Sequence, residues 1–439
     1  MLPTRGALLS ATLFAIAALA VAGVLPLWLD EILQLRETRD TSTAAMISRL
    51  PRNSGAAPLG YLVQQTTLKI TGYSIRNARL PAALFSIATV LAVALVAAEV
   101  GIRYPWLAAA LFAIYPVTLR YAAESRVYSQ ALFLSVLATL IYVRVAKNGT
   151  WGLAAAYWLA LTAAIYTHPY SASVGLAHLA WSVRQREFRT AAYGCVALAL
   201  AGLAFLPWYL WSKAAWASGI VSQGFHFSAS IKTPLMVFRE VAGAGYWGSA
   251  LLLVLCSLAI LTGRPFSRFQ SLLLWLIAVP LLAVVAADAL AGYFLAARQF
   301  MWILPATAIL AAAAVERYRQ FAAVLCVLFG LVSIRQSVVY FTAPHENWEA
   351  AADVIADQVK KGAGVLVAPS NNARLYEFFR PELSLARCQA PLMVLAITPA
   401  ATREERAGAV SELNAQGYRQ QNEILVGKSA VLSFRLTTK

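Results

Sequence analysis

Long runs of apolar residues recur along most of this 439-residue chain. A helix needs about 20 mostly apolar residues to cross the hydrocarbon core of a bilayer. A helix also satisfies its own backbone hydrogen bonds, which lipid cannot do. We therefore predict a polytopic α-helical membrane protein with about eleven transmembrane helices. The predicted spans lie near residues 7–27, 78–98, 105–119, 128–145, 152–166, 170–183, 191–211, 247–263, 271–288, 299–314 and 321–341.

Composition excludes a set of soluble domains. Hydrophobic residues make up 60% of the chain and charged residues 13%, against about 45–50% and about 25% in soluble proteins. The net charge of +16 would suggest nucleic acid in a soluble protein, but no compact basic and aromatic module is present. We therefore expect no nucleic-acid partner. The four cysteines form no CxxC or Cys/His cluster and predict no zinc site.

Charge in the short loops predicts the orientation. With the N-terminus in the cytoplasm, the cytoplasmic turns hold about 11 Lys and Arg in about 38 residues. The loops on the other side hold about 12 in about 106 residues, without the tail. Basic residues concentrate on the cytoplasmic side of membrane proteins. An odd number of spans then places the tail on the extracytoplasmic side, next to the membrane lipids.

We predict two domains, a transmembrane domain at 1–343 and an extracytoplasmic α/β domain at 344–439. The first outer loop covers about 28–77, and within it Arg36–Leu50 is predicted as one amphipathic helix on the membrane surface. A second long loop lies near 212–246. In the tail, alternating helix and strand patterns predict the α/β domain. The predicted helices are 345–361, 371–379 and 402–416, and the predicted strands are 364–368, 391–398, 421–426 and 430–436.

Ionisable residues in or near spans are costly and are candidates for function. Asp30 and Glu31 follow the first span in PLWLDEILQL. They are either a solvated helix end or a general base, or they hold a cation. The apolar flanks favour partial burial, which raises the pKa of a carboxyl group toward a useful value.

A second candidate group lies between the third and fourth predicted spans. Tyr121, Glu124 and Tyr128 have i, i+3, i+7 spacing and share one face if this segment is helical. With Arg126 beside them, they either grip a polar ligand or form an ion pair with interfacial tyrosines.

Three further groups complete the candidates. His168, in YTHPY, is either a hydrogen-bond donor and proton relay or a structural residue. Arg298 suits a phosphate, or it pairs with Asp288. Lys69, together with Arg76 and Arg79, either holds a lipid phosphate or extends toward the interface. Under the predicted orientation, Asp30, Glu31, Glu124, Arg126, His168 and Arg298 all lie at the outer rim.

Four motifs, in order, carry a resemblance to a known family. They are LDEILQL, AAPLGYLVQQ with GYSIRNARLPAALFS, RYAAESRVYSQALFL, and YTHPYSASV. With the tail segment NWEAAADVIADQVKKGAGVLVAP, they cover about residues 25–370. The chain resembles the GT-C superfamily of membrane glycosyltransferases, in the branch similar to protein O-mannosyltransferases and to the lipid A aminoarabinose transferase (families 39 and 83).

The resemblance implies an inverting transferase that takes a sugar from a polyprenyl-phosphate donor. Asp30, which forms the catalytic acidic pair with Glu31, corresponds to the aspartate that deprotonates the acceptor hydroxyl. Glu124 positions acceptor or sugar hydroxyls or acts as a second acid. Arg126 and Arg298 bind the phosphate with support from His168, and Tyr61 covers the donor. Some relatives bind a divalent cation at the acidic motif. One acid pair without a neighbouring histidine predicts no metal and no other cofactor.

The resemblance also implies a bacterial inner membrane protein with a periplasmic C-terminal domain. The acceptor is expected to be a lipid or glycan rather than a protein. Two alternatives stay open. One is an O-antigen ligase-like transferase that uses a pyrophosphate donor, and the other is a transporter or flippase that only binds a polar headgroup. A transporter would more typically place its charges at the bilayer midplane, and the middles of these spans carry almost no charge.

Overall fold

The computed structural model describes residues 4–53, 56–217, 239–261, 267–291, 297–381, 383 and 390–437. Within them the chain forms two compact units. The first comprises Met1–Ala22 and Glu37–Tyr340, and the second comprises Gly23–Arg36 and Phe341–Lys439. The second unit therefore includes Gly23–Arg36 as well as the tail.

Every predicted span contains helix. The helices up to α8 are α1 (Arg5–Val21), α2 (Leu29–Thr38), α3 (Thr43–Asn53), α4 (Pro58–Thr71), α5 (Ile75–Glu99), α6 (Pro105–Ala113), α7 (Pro116–Ala122) and α8 (Tyr128–Asn148). They are followed by α9 (Trp151–Thr167), α10 (Ala172–Arg184), α11 (Phe188–Ala217), α12 (Gly245–Leu261), α13 (Gln270–Ala291), α14 (Leu304–Arg317) and α15 (Arg319–Thr342). Short 3-10 helices occupy Pro169–Ser171 and Ala297–Ile303.

Among the described residues, four helices are long and apolar enough to cross a membrane: Ile75–Glu99, Tyr128–Asn148, Phe188–Ala215 and Arg319–Thr342. Arg5–Val21, Trp151–Thr167, Gly245–Leu261 and Gln270–Ala283 are shorter apolar helices. Large apolar side chains on α11 and α15 stay exposed, including Leu203 and Leu331. Such surfaces suit contact with lipid tails rather than water.

Two predicted elements differ from the structure. The span at 105–119 is broken into α6 and α7, because Pro116 begins a new helix and has no N–H to continue the old one. The single helix predicted at Arg36–Leu50 is also two helices, since the chain leaves α2 after Thr38 and Asp40 has φ of 53°. The second long outer loop lies largely outside the described residues, because 218–238 are not among them.

The centre of the first unit is a bundle in which α8 packs between α5 and α9, and α11 packs on α9. Buried polar side chains in this bundle bond to one another. His178 Nδ1 lies 3.0 Å from Tyr157 Oη and its Nε2 lies 3.1 Å from Thr139 Oγ1. The His178 ring also stacks on Tyr142, with centroids 4.4 Å apart. Hydrogen bonds between polar side chains of neighbouring helices stabilise membrane bundles.

The tail elements match the sequence prediction closely. Helices α16 (Trp348–Val359), α17 (Ala373–Glu377) and α18 (Arg403–Ala415) accompany strands β1 (Gly364–Ala368), β2 (Leu392–Ile397), β3 (Tyr418–Val426) and β4 (Ser429–Leu436). The sheet order is β1-β2-β4-β3, with β1 parallel to β2 and the other pairs antiparallel. Because β1 and nearly all of β2 are buried, both faces of the sheet are covered along these two strands.

Gly60 allows α4 to approach the turn before α8. A Cβ atom at this position would lie 2.2 Å from Val127 Cγ1 and 2.9 Å from its Cβ. We expect Gly60→Ala to lower the free energy of unfolding by about 1–3 kcal/mol, because valine is stiff and the added methyl overpacks the contact. Thermal unfolding of the purified protein measures the loss.

Gly202→Ala is the matched control for Gly60→Ala. It also lies inside a helix, α11, and an added Cβ there has no neighbour within 4 Å. Equal melting temperatures for the two variants would show that the close approach of α4 does not matter.

Candidate active site

The segment between α7 and α8 carries four predicted site residues. Tyr121 lies in the last turn of α7, Glu124 and Arg126 lie in the connection, and Tyr128 begins α8. The condition for a shared helical face is not met, because 123–127 form a turn in which Arg126 N–H donates to Glu124 O at 2.8 Å. The two tyrosine rings still meet edge to face, with centroids 5.2 Å apart.

Side chains from neighbouring helices hold this turn. Gln64 on α4 donates its amide to Ser125 O at 3.3 Å, so this carbonyl is bonded outside any helix. Ser129 Oγ donates to Tyr121 O at 3.0 Å, and Ser86 Oγ donates to Ser129 Oγ at 2.9 Å. The turn is therefore fixed by three helices at once.

Arg120 is a site residue that sequence reasoning missed. Its Nε lies 2.8 Å from Glu124 Oε1, and the Glu124 side chain is only 4% exposed. The guanidinium also lies 4.9 Å from the centre of the Tyr340 ring. A buried carboxylate without such a cation would be strongly destabilising. The i, i+4 spacing of Arg120 and Glu124 was the signal available in the sequence.

Two arginines from distant parts of the chain meet at one tyrosine ring. The guanidinium carbons of Arg126 and Arg298 lie 5.7 and 5.9 Å from the centroid of the Tyr128 ring. Both distances are within the range of cation–π attraction. We call Tyr121, Arg126, Tyr128, His168 and Arg298 the arginine–tyrosine cluster. It joins residues that lie up to 177 positions apart in the sequence.

His168 lies in the same cluster, just after the end of α9. Its ring centroid is 5.6 Å from that of Tyr128, and its Nδ1 accepts the backbone N–H of Tyr170 at 3.4 Å. Burial lowers the pKa of the His168 imidazole, and the charges of Arg126 and Arg298 lower it further. The imidazole is therefore neutral at neutral pH. With Nδ1 as acceptor, its proton lies on Nε2, where it can donate a hydrogen bond.

Trp302 is a second residue that sequence reasoning missed. It lies on the 3-10 helix that carries Arg298, and its indole N–H is bonded to Ser135 Oγ at 3.1 Å and to Ser171 Oγ at 3.2 Å. Its ring lies 5.1 Å from that of His168. Trp302 thus ties together the segments that carry Arg298, Tyr128 and His168.

Asp30 and Glu31 lie in the second unit, in the first turn of α2. Glu31 is fully buried, and its Oε2 accepts the backbone N–H of Trp28 in a long bond of 3.4 Å. Asp30 is partly exposed. Leu29 N–H donates to Glu346 Oε2 of the tail at 2.9 Å.

The remaining predicted residues lie elsewhere. Tyr61, the residue expected to cover the donor, is 5% exposed and belongs to the hydrophobic core. Lys69 is bonded to Thr43 Oγ1 at 2.9 Å, between first-loop helices. The side chain of Asp288, the suggested mate of Arg298, lies outside the described residues.

Over the described residues, no group of three or more His, Cys, Asp or Glu side chains could hold a metal ion. The cluster instead offers two fixed positive charges, a neutral imidazole and phenol rings. Fixed guanidinium groups are well suited to phosphate oxygens.

Trp302→Phe removes the indole N–H while keeping an aromatic ring. We expect the free energy of unfolding to fall by about 1–3 kcal/mol, because Ser135 and Ser171 lose a buried hydrogen-bond donor. Thermal unfolding in detergent checks this. Trp151→Phe, at a side chain that is 79% exposed, is the control. A Trp302→Phe protein as stable as the control would refute the anchoring role.

The chain is similar to known proteins in structure. No protein-family model matches the sequence, and no curated protein sequence matches it. The fold is similar to that of ArnT from Cupriavidus metallidurans in the apo state, with a TM-score of 0.62, 12% identity and 97% of each chain covered. The ArnT structure bound to undecaprenyl phosphate matches with a TM-score of 0.59, 12% identity and the same coverage.

The apo oligosaccharyltransferase from Archaeoglobus fulgidus matches with a TM-score of 0.53 and 12% identity, covering 91% of this chain and 65% of that chain. Both enzymes are members of the GT-C superfamily. The resemblance noted from the four sequence motifs is thus confirmed for the fold alone: the chain has a fold similar to that of these two GT-C proteins.

Proposed function

We propose that the protein is an inverting glycosyltransferase that moves a sugar from a polyprenyl-phosphate donor to an acceptor hydroxyl. The observation that carries the proposal is the pair of guanidinium groups at Tyr128, beside a neutral His168, in a GT-C fold. Such a group of cations suits a phosphate leaving group. The ArnT structure with undecaprenyl phosphate supports a lipid phosphate as the ligand.

In the proposed reaction, the Asp30 carboxylate takes the proton of the acceptor hydroxyl. The acceptor oxygen forms a bond to the anomeric carbon while the bond from that carbon to the donor phosphate oxygen breaks. The lipid phosphate leaves with the bonding electron pair. Arg126 and Arg298 stabilise its charge, and His168 donates its Nε2 proton in a hydrogen bond.

The remaining parts of the proposal follow from the resemblance. Glu124, held by Arg120, positions sugar or acceptor hydroxyls. The acceptor is a lipid or a glycan. The protein lies in the bacterial inner membrane, and its tail is periplasmic. A transporter that binds the same headgroup would need the arginines but no base, so the base is the group to test.

We expect Asp30→Asn to lower sugar transfer by about 100- to 10,000-fold, the usual contribution of a general base. Binding of the donor should stay within about twofold, since the phosphate is held by the arginines. Transfer from a purified undecaprenyl-phosphate sugar, with envelope lipids as acceptors, measures the rate, and donor titration measures the affinity.

Asp40→Asn is the matched control for Asp30→Asn, because the Asp40 side chain is 80% exposed and forms an ion pair with Arg39. Normal transfer by Asp30→Asn would reject the proposed base.

Arg298→Gln and Arg126→Gln should weaken the binding of undecaprenyl phosphate by about 10- to 100-fold each. A hydrogen bond to a charged group contributes about 1.5–3 kcal/mol. Arg298→Lys should recover part of the loss, because it keeps the charge but not the two-pronged geometry. Arg319→Gln, at an exposed arginine of α15, serves as the control. Unchanged affinity in both Gln variants would exclude the cluster as the phosphate site.

A further inference from the structure

The first turn of α2 is bonded to a side chain from the tail. The residue before the helix is Trp28, whose side chain has no oxygen to accept the free N–H groups of the first turn. Glu31 accepts the Trp28 N–H in a long bond of 3.4 Å. The N–H of Leu29, the first helical residue, is accepted by Glu346 Oε2 at 2.9 Å, from 317 residues further along the chain. The tail therefore supplies the cap.

The Glu346 carboxylate is itself held in place. The same Oε2 atom accepts the indole N–H of Trp348 at 2.8 Å. Trp348 is fully buried and packs against Tyr376, with ring centroids 5.3 Å apart. A carboxylate bonded to a buried indole has few rotamers left, so it presents a fixed acceptor to α2.

The β3–β4 turn fixes the backbone at Glu346. Glu346 forms an antiparallel bridge with Gly427, and Lys428 N–H donates to His345 O at 3.2 Å. Gly427 has φ of 57°, and a Cβ atom there would lie 2.2 Å from His345 O. Glycine is therefore needed for this contact. The β3–β4 turn thus holds the backbone of Glu346, and the Glu346 side chain holds the start of α2.

We propose that Glu346 is a positioning residue for Asp30, and that the tail has the function of holding the acidic first turn of α2. Asp30 directly follows Leu29, so the bond to the Leu29 N–H sets the axial position of the Asp30 backbone. Ile32 and Leu35 are both fully buried and fix the rotation of the helix. A carboxylate at a helix N-terminus is also favoured by the helix dipole. The inference rests on the proposed role of Asp30 as the base.

The test compares Glu346→Ala and Glu346→Gln in the sugar-transfer assay with the full chain. We expect Glu346→Ala to lower kcat by about 10- to 100-fold, since a small misplacement of a reacting group costs about that much. The donor KM should stay within about twofold. Glu346→Gln should restore most of kcat, because an amide oxygen can accept the same two hydrogen bonds.

Glu349→Ala is the matched control, an exposed glutamate in the first turn of α16, and should behave as the unchanged protein. Hydrogen exchange of peptides covering 25–38 gives a second measurement. Exchange should rise in Glu346→Ala and stay unchanged in Glu346→Gln and Glu349→Ala. This measurement needs no turnover.

Three outcomes would overturn the inference. They are a normal kcat in Glu346→Ala, a loss that appears only in the donor KM, and a failure of Glu346→Gln to restore kcat when α2 exchange is normal. Asp30→Asn in the same assay shows whether the positioning role of Glu346 is wrong or the proposed function itself is wrong. An active Asp30→Asn rejects the base, whereas an inactive Asp30→Asn with a normal Glu346→Ala rejects only the positioning role.

Discussion

The cost of placing charge among apolar helices governs the rest of this structure. An ion without a partner in such surroundings is strongly destabilising. The Glu124 side chain is 4% exposed and has Arg120 at 2.8 Å. Arg126 and Arg298 place their guanidinium groups near the Tyr128 ring. Charge is therefore concentrated in a few held positions, and the intervening helices remain free to face lipid.

Those positions are the places where helices stop. Glu124 and Arg126 lie in the turn after α7, His168 follows α9, and Arg298 lies on a 3-10 helix before α14. The first N–H groups and the last carbonyl groups of a helix have no hydrogen-bond partner within the helix. Because they can bond polar side chains, a polar cluster at helix ends costs less free energy than one along a helix. The hydrogen bonds of Trp302 to Ser135 and Ser171 hold together the segments that carry Arg298, Tyr128 and His168.

Local patterns in the sequence were enough to predict the helices, the tail strands and the residue types of the cluster. They could not predict breaks that depend on neighbours. In the turn at 123–127, the Ser125 carbonyl accepts a hydrogen bond from the Gln64 side-chain amide, and Gln64 lies 61 residues before Ser125 in the sequence. Trp302 was missed for the same reason, since its partners lie 131 and 167 residues away. The i, i+4 pair of Arg120 and Glu124 was within reach of sequence reasoning and was overlooked.

Asp30 and Glu31, the adjacent acids of LDEILQL, also show that local sequence does not predict tertiary surroundings. In sequence, Asp30 and Glu31 are equivalent candidates. On a helix, consecutive side chains point about 100° apart, so burial of one does not require burial of the other. Glu31 is fully buried and accepts the Trp28 N–H, whereas Asp30 is partly exposed. The structure therefore distinguishes, by burial, two carboxylates that the sequence presents as equivalent.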